Sequence, residues 1–234
     1  MAEGRPDHEF GLERAPTRWE RAYEAFETPE QEVQKFLDRF RRIGADGWDR
    51  SSRVLEVCSG RGSGLQAWHS LGFTRTIGVD YSVPLIRLSR GAGDRIIGDA
   101  RNLPLASGSI DIAVVQGGLH HLSSTADVEC AISEMCRVVR TNGKIVIIEP
   151  WLTPFLQLVH AVAEQGLARR LSGRINALGT MIDEERDTYE RWLKTPDEHL
   201  AVIRRHITTH LLERRWGKIV IVGSPASQHA RANL

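Results

Sequence analysis

From Gly47 to Pro150 the chain alternates short apolar runs with stretches of helical period. That alternation is the mark of βαβ units wound around a parallel sheet, and it leaves little room for another fold class. Strands are predicted at 53–57, 75–79, 95–98, 110–115 and 144–148. Helices are predicted between them at 63–71, 83–90 and 125–140, the last with Val128, Ala131, Ile132, Met135, Val138 and Val139 on one face. Asn142-Gly143 reads as the turn into the next strand. IVIV at 219–222 closes the series, with 206–212 as its weaker partner.

Two helical regions flank this pattern. Upstream, residues 17–46 read as a helical cover: Trp19, Tyr23 and Phe26 mark a short amphipathic piece. Thr28 and Gln31 then frame a capping box around Pro29, ahead of the stripe Val33, Phe36, Leu37, Phe40 and Ile43. Downstream, residues 151–205 read as a helical insertion, a substrate lid, with starts at Thr153-Pro154 and at TPDE (195–198), where Glu198 is placed for a second capping box. Residues 1–16 are polar and turn-rich and read as a frayed end. No repeat or low-complexity linker divides the chain, so residues 1–234 are expected to form one domain.

Composition narrows the function. A net charge of +1 over 234 residues lacks the basic surface that supplies most nucleic-acid affinity, so no nucleic-acid partner is expected. No stretch approaches the ~18 apolar residues of a membrane span, and the first ten residues are charged with no apolar leader, so membrane insertion is not expected. Cys58, Cys130 and Cys136 form no CxxC pair and suit reduced thiols in a cytoplasmic protein.

The chemistry begins at VLEVCSGRGSG, residues 54–64. A strand, a glycine turn and a helix make a backbone cradle, but Gly60-x-Gly62-x-Gly64 departs from GxGxxG. A pyrophosphate at the helix start would also be repelled by Glu56. S-adenosylmethionine removes the conflict: it has no phosphate, and its amino acid end and sulfonium are cationic. Asp80, 24 residues after Glu56, ends the next strand where a carboxylate accepts from ribose hydroxyls, and Asp99 ends the one after, within reach of an adenine amino group. Three acids at successive strand ends line one sheet edge, where open α/β proteins bind ligands.

With VLEVCSGRG, GVDYS, GDARNLPLASGSID, VVQGGLHHL and EMCRVVRTNGKIVIIEP on one chain, the segment from Ser52 to Pro150 resembles the class I S-adenosylmethionine-dependent methyltransferases, in the branch of ubiquinone and menaquinone biosynthesis. The resemblance implies a Rossmann-like three-layer α/β sandwich with a mostly parallel seven-stranded sheet whose last strand is antiparallel. It implies cofactor contacts from Glu56, Gly60, Gly62, Asp80, Tyr81, Asp99, Ala100 and Gln116. Two positions depart from the family pattern. Cys58 replaces the first glycine of the loop, which calls for a backbone outside glycine-only angles, and Thr141-Asn142-Gly143 replaces a proline-glycine turn.

Methyl transfer to a small-molecule acceptor is therefore the expected reaction, by positioning for in-line displacement. If a base is needed, His121 and Glu149 are the candidates, with His120 and Trp151 lining the acceptor pocket. Adjacent His120 and His121 are expected to diverge, so no metal site is expected. His206 and His210 read as surface or strand residues, and Cys58 as a small buried residue without a catalytic base. Trp151, Arg186, Tyr189, Arg191 and Trp192 lie in the insertion that selects the acceptor. The rivals are a non-catalytic protein that binds S-adenosylmethionine or S-adenosylhomocysteine and, disfavoured by Glu56 and Asp99, an NAD(P)-dependent oxidoreductase.

Overall fold

The computed structural model describes residues 15–89, 91 and 93–226, so the reading of residues 1–14 as a frayed end, and residue 90 of the helix expected at 83–90, lie outside the described residues. Two helices open the chain, α1 (Arg18–Phe26) and α2 (Pro29–Arg42), and both start as their sequence dictates. Thr28 Oγ accepts from Gln31 N at 3.3 Å and Gln31 reaches back to Thr28 N, completing the expected capping box. Thr17 and Glu20 form the same box one helix earlier, which the sequence reading missed.

The α/β core runs β1 (Arg53–Val57), α3 (Ser63–Ser70), β2 (Arg75–Asp80), α4 (Val83–Leu88), β3 (Asp94–Ile97), β4 (Ile110–Gln116), α5 (Thr125–Val138) and β5 (Val139–Pro150). The insertion follows as α6 (Pro154–Glu164), α7 (Gly166–Leu171), α8 (Gly173–Glu184), α9 (Arg186–Lys194) and α10 (Pro196–His206), before β6 (Ile207–Arg215) and β7 (Lys218–Pro225). The sheet order is β3-β2-β1-β4-β5-β7-β6, with β1 to β5 parallel and β7 antiparallel to both its neighbours. The expected seven-stranded, mostly parallel α/β sheet with an antiparallel last strand is the one observed.

Both faces of the central strands β1, β4 and β5 are buried, which is why they read as continuous apolar runs. Leu55, Val57, Ala113, Val115, Ile145 and Ile147 face α5, α9 and α10, whereas Val54, Ile112, Val114, Val146 and Ile148 face α2 and α3, around Phe40, Trp68 and Phe73. The chain order reverses between β1 and β4, so a crevice opens above their C-terminal ends.

Three local expectations are corrected. α5 stops at Val138, and Val139 is already paired with Ile110; Asn142, at φ 66°, and Gly143 form an irregularity inside β5, not a turn before it. A Cβ on Gly143 would lie 2.5 Å from Val139 Cγ1 and 2.7 Å from Asp111 O, so the close strand contact requires glycine. At 195–198 the capping box does not form, because Thr195 Oγ turns to Arg191 O and Glu198 accepts from Thr125 Oγ at 2.9 Å. Cys58 takes φ 56°, in the left-handed region it was expected to avoid, at a cost of about 1 kcal/mol. Its side chain fills the space left by Gly118, whose Cβ would lie 2.5 Å from that of Cys58.

Candidate functional site

A cavity of about 770 Å³ occupies the crevice, floored by the ends of β1, β2 and β4 and roofed by α1, α2 and α8. Roof elements α1 and α8 are joined: Arg174 pairs with Glu27 at 2.8 Å and stacks over Phe26, while Arg18 pairs with Glu184 at 3.3 Å.

At the floor the glycine loop turns through left-handed Gly60 and Gly62, and α3 starts at Ser63. Asp80 anchors it: one carboxylate oxygen accepts from Gly60 N at 2.7 Å and the other from Ser82 N at 2.7 Å. Burial raises the Asp80 carboxyl despite these bonds. Glu56 lies directly beneath α3. A Cβ on Gly64 would sit 1.8 Å from Glu56 Oε1, so only glycine leaves room for this acid. Glu56 is 2% exposed, and burial pushes its carboxyl up to about 8, against a long bond from Gln116 Nε2 at 3.3 Å and one from the Leu65 backbone.

Three buried polar atoms at this floor have no hydrogen-bond partner: Glu56 Oε2, Ser59 Oγ and Gln116 Oε1. Each can accept a hydrogen bond, and unpaired acceptors in a buried site are costly. An ammonium group, with three N–H donors, suits the two that only accept when Glu56 is ionised, Glu56 Oε2 and Gln116 Oε1, whereas a pyrophosphate, itself an acceptor, suits neither. Tyr81, Asp99 and Ala100 continue the floor along the β2 and β3 ends. Asp99 is held by Arg101 Nη2 at 2.6 Å, and Arg101 is in turn tied to Asp127 at 2.9 Å, so the β3 end of the cavity carries a charge network with no signal in the sequence.

Past Gly117 and Gly118 the chain enters a short 3₁₀ turn, Leu119–His121, that sets two histidines beneath the roof. Their rings do not diverge as expected: the centroids are 4.1 Å apart and both turn toward Glu185, at the α8–α9 junction. His121 Nδ1 lies 2.6 Å from Glu185 Oε1, and His120 Nε2 lies 3.8 Å from Oε2. Among the described residues these three are the one group whose donor atoms stand close enough to hold a metal ion, all within 4.8 Å of one another.

The adjacent histidines are tuned in opposite directions. Burial lowers His121, but the hydrogen bond and charge of Glu185 outweigh it, and the imidazole is raised above its ordinary value. His120 is lowered by burial and by its charged neighbour His121, which Glu149 only partly offsets.

Glu149, expected near the acceptor, is fully buried below the cavity floor. It accepts from Gly118 N at 2.8 Å and Leu119 N at 2.9 Å, and its second oxygen pairs with His120 Nδ1 at 2.8 Å. These donors hold it ionised against the cost of burial. Trp151 is likewise displaced: it lines a separate cavity of about 220 Å³ with Trp192 and Arg214. Strand alternation was the available signal, since Ile145, Ile147, Glu149 and Trp151 share the β5 face that packs on α5 and α9.

In the insertion, Tyr189 lines the large cavity and meets His160 Nε2 at 2.9 Å, whereas Trp192 is core and donates to Pro150 O at 2.7 Å. Arg186 pairs with Asp183 and Glu190, and Arg191 caps the Ser123 carbonyl, so both arginines serve the scaffold. His206 pairs with Glu129 at 2.9 Å and His210 is exposed on β6.

Residues 55–147 match the family described as a methyltransferase domain. Over 173 residues the chain is 29% identical to the demethylmenaquinone methyltransferase of Paenarthrobacter aurescens, covering 70% of this chain and 65% of that protein. It is 27% identical over 97 residues to the ubiquinone/menaquinone biosynthesis C-methyltransferase of Cereibacter sphaeroides, covering 42% of this chain and 36% of that one. The chain thus spans less than two thirds of the length of these curated relatives. Among solved structures, the PH0226 protein of Pyrococcus horikoshii superimposes with a TM-score of 0.67 at 16% identity, over 91% of this chain and all of that one. A Methanococcus maripaludis protein described as a putative S-adenosylmethionine-dependent methyltransferase gives 0.62 at 16% identity, over 92% and 97%. No described helix is long and apolar enough to cross a membrane.

Proposed function

We infer that this chain, which has the class I S-adenosylmethionine-dependent methyltransferase fold and a methyltransferase domain of the quinone-methylating branch, transfers a methyl group to a small-molecule acceptor in the cytoplasm. The observation that carries the reading is the pair of buried acceptors without partners, Glu56 Oε2 and Gln116 Oε1, at the floor of the glycine-loop cradle.

S-adenosylmethionine, when bound, supplies a methyl group on a cationic sulfur that is already a good leaving group. The residues present fit it: Glu56 and Gln116 would hold its ammonium, Gly60 and Gly62 its amino acid backbone, Asp80 its ribose hydroxyls, and Tyr81, Asp99 and Ala100 the adenine end. What the protein adds is mostly alignment and exclusion of water. Holding two reactants in line can supply ~7–11 kcal/mol of the barrier. The roof formed by α1 and α8 closes the cavity over them.

His121 is assigned as the group that takes the acceptor's proton. It lines the cavity, and Glu185 fixes its Nδ1 as the hydrogen-bonded nitrogen, leaving Nε2 for the acceptor. Glu149 is assigned as a positioning residue: with both oxygens occupied it orients His120 and the 117–119 turn beneath the acceptor. Splitting two neighbouring histidines in this way separates a protonatable group from a neutral one.

Incubation with methyl-labelled S-adenosylmethionine and pools of hydroxylated, amino and quinol acceptors tests the reading. Labelled product is expected. Full occupancy by S-adenosylhomocysteine with no label transferred to any pool would reduce the chain to a binding protein.

A further inference from the structure

The cavity has two electrical ends. Glu56 and Asp80 stand near the C-terminal ends of β1 and β2 and Asp99 two residues past β3, and the three suit a cationic nucleoside. On the other side of the switch point the same cavity is lined by Lys35 and Arg39 of α2 and by Lys218 at the start of β7.

Nearby acids neutralise only Lys35 of this second end. Glu32 is taken by Arg61 at 2.8 Å, and Glu27 is shared by Lys35 and Arg174. Neither Arg39 nor Lys218 has an ion pair among the described residues. Lys218 stands opposite Pro150 in the β5–β7 register, at the ligand-bearing edge of the sheet, and shares a strand face with Val220 and Val222, which pack toward α2. Arg39 comes down from α2 onto the same ground. Burial first and Arg39 next pull the Lys218 ammonium down to about 7, while Glu149 and Glu27 act in the opposite sense; Glu149 has both oxygens bonded elsewhere. Arg39 likewise feels Glu27 and Glu32 only at a distance, and lies below its ordinary value because burial outweighs them. Two neighbouring cations that line a ligand cavity with no directly paired carboxylate are a cost to the fold that an anion would reduce.

We propose that Arg39 and Lys218 bind a carboxylate or phosphate group carried by the methyl acceptor. The cofactor's own carboxylate is the other source of such a charge, and for Lys218 strand spacing argues against it. From β1, beside which Glu56 holds the amino acid end, to β7 the sheet crosses β4 and β5, about 14 Å at ~4.8 Å per step. A carboxylate bonded to the same carbon as the ammonium at Glu56 lies well short of that.

The proposal rests on the methyl-transfer reading, whose own failure would show separately, as S-adenosylhomocysteine bound with no label transferred to any acceptor pool or as no S-adenosylhomocysteine bound at all. The test uses the full chain loaded with S-adenosylhomocysteine and titrated with benzoate and with its uncharged isostere benzamide. Benzoate is expected to bind at least tenfold tighter, and Arg39→Gln and Lys218→Met are each expected to bring the ratio to about one. S-adenosylhomocysteine affinity should stay within about twofold, and the melting temperature of Lys218→Met should hold or rise, since a cation without a partner has been removed. Failure of the wild type to bind benzoate, or equal binding of the two probes, overturns the proposal. So does a loss of S-adenosylhomocysteine affinity in either variant as large as the loss for benzoate, which would give the site to the cofactor.

Discussion

Glu56 should make cofactor binding release a proton. Its carboxyl, raised by burial from an ordinary 4.5 to about 8, is about nine-tenths protonated at pH 7. A carboxylate facing an ammonium must be ionised, so binding S-adenosylhomocysteine at pH 7 should expel about 0.9 proton at a cost of about 1.4 kcal/mol. Affinity should therefore rise about tenfold from pH 6 to pH 7 and level off near pH 8. The same shift has the opposite consequence for the free protein. A folded-state value above the unfolded one means that this residue's contribution is fully present below pH 4.5 and is lost as pH rises toward 8. At pH 7 the loss spans 2.5 pH units and amounts to about 3 kcal/mol. Glu56→Gln, which mimics the protonated acid, should thus raise the melting temperature of the free protein at pH 7 by about 6–12 °C while abolishing tight S-adenosylhomocysteine binding. Calorimetry in two buffers of different ionisation enthalpy counts the proton, and thermal melts measure the gain. Binding with no proton release, or the same release in Glu56→Gln, would refute the reasoning.

Three further outcomes are expected. Glu185→Gln removes the charge that raises His121, so the acid limb of the kcat/KM pH profile should move to lower pH, whereas His121→Ala should lower kcat by about 10²–10⁴-fold. An unmoved limb in Glu185→Gln would break the pairing. Glu149→Ala leaves two backbone N–H groups and His120 without their buried acceptor and should cost on the order of 3–5 kcal/mol in a denaturant titration, with Glu149→Gln milder. Gly64→Ala should abolish S-adenosylhomocysteine binding, because its Cβ would fall 1.8 Å from Glu56 Oε1; wild-type affinity in that variant would mean that Glu56 is not held beneath α3.

What could be read from the chain and what could not follows the range of the interactions. Local signals held: the Thr28 box, the α5 stripe and the strand runs are set by neighbours a few residues apart, and the acids at 56, 80 and 99 follow from strand ends that meet at one edge. Glu185 was invisible because it sits at a break between two helices, in a run of charges with no turn signal, and its partner His121 is distant in sequence. Arg39 and Lys218 were invisible for the same reason: each reads as an ordinary solvated cation until α2 is laid over β7. Glu149 was misread from its position after the strand, where the backbone N–H groups of Gly118 and Leu119 converge on it from another loop. Thr195 shows a local rule overridden, since its hydroxyl bonds back to α9 and Glu198 finds Thr125 across the fold.

The central claim is that this crevice holds a cationic nucleoside without phosphate. Equilibrium calorimetry of the full chain against S-adenosylhomocysteine and, in parallel, NAD tests it most directly. Saturable one-to-one heat with S-adenosylhomocysteine and none with NAD is the predicted result; saturation by NAD with no response to S-adenosylhomocysteine would contradict it.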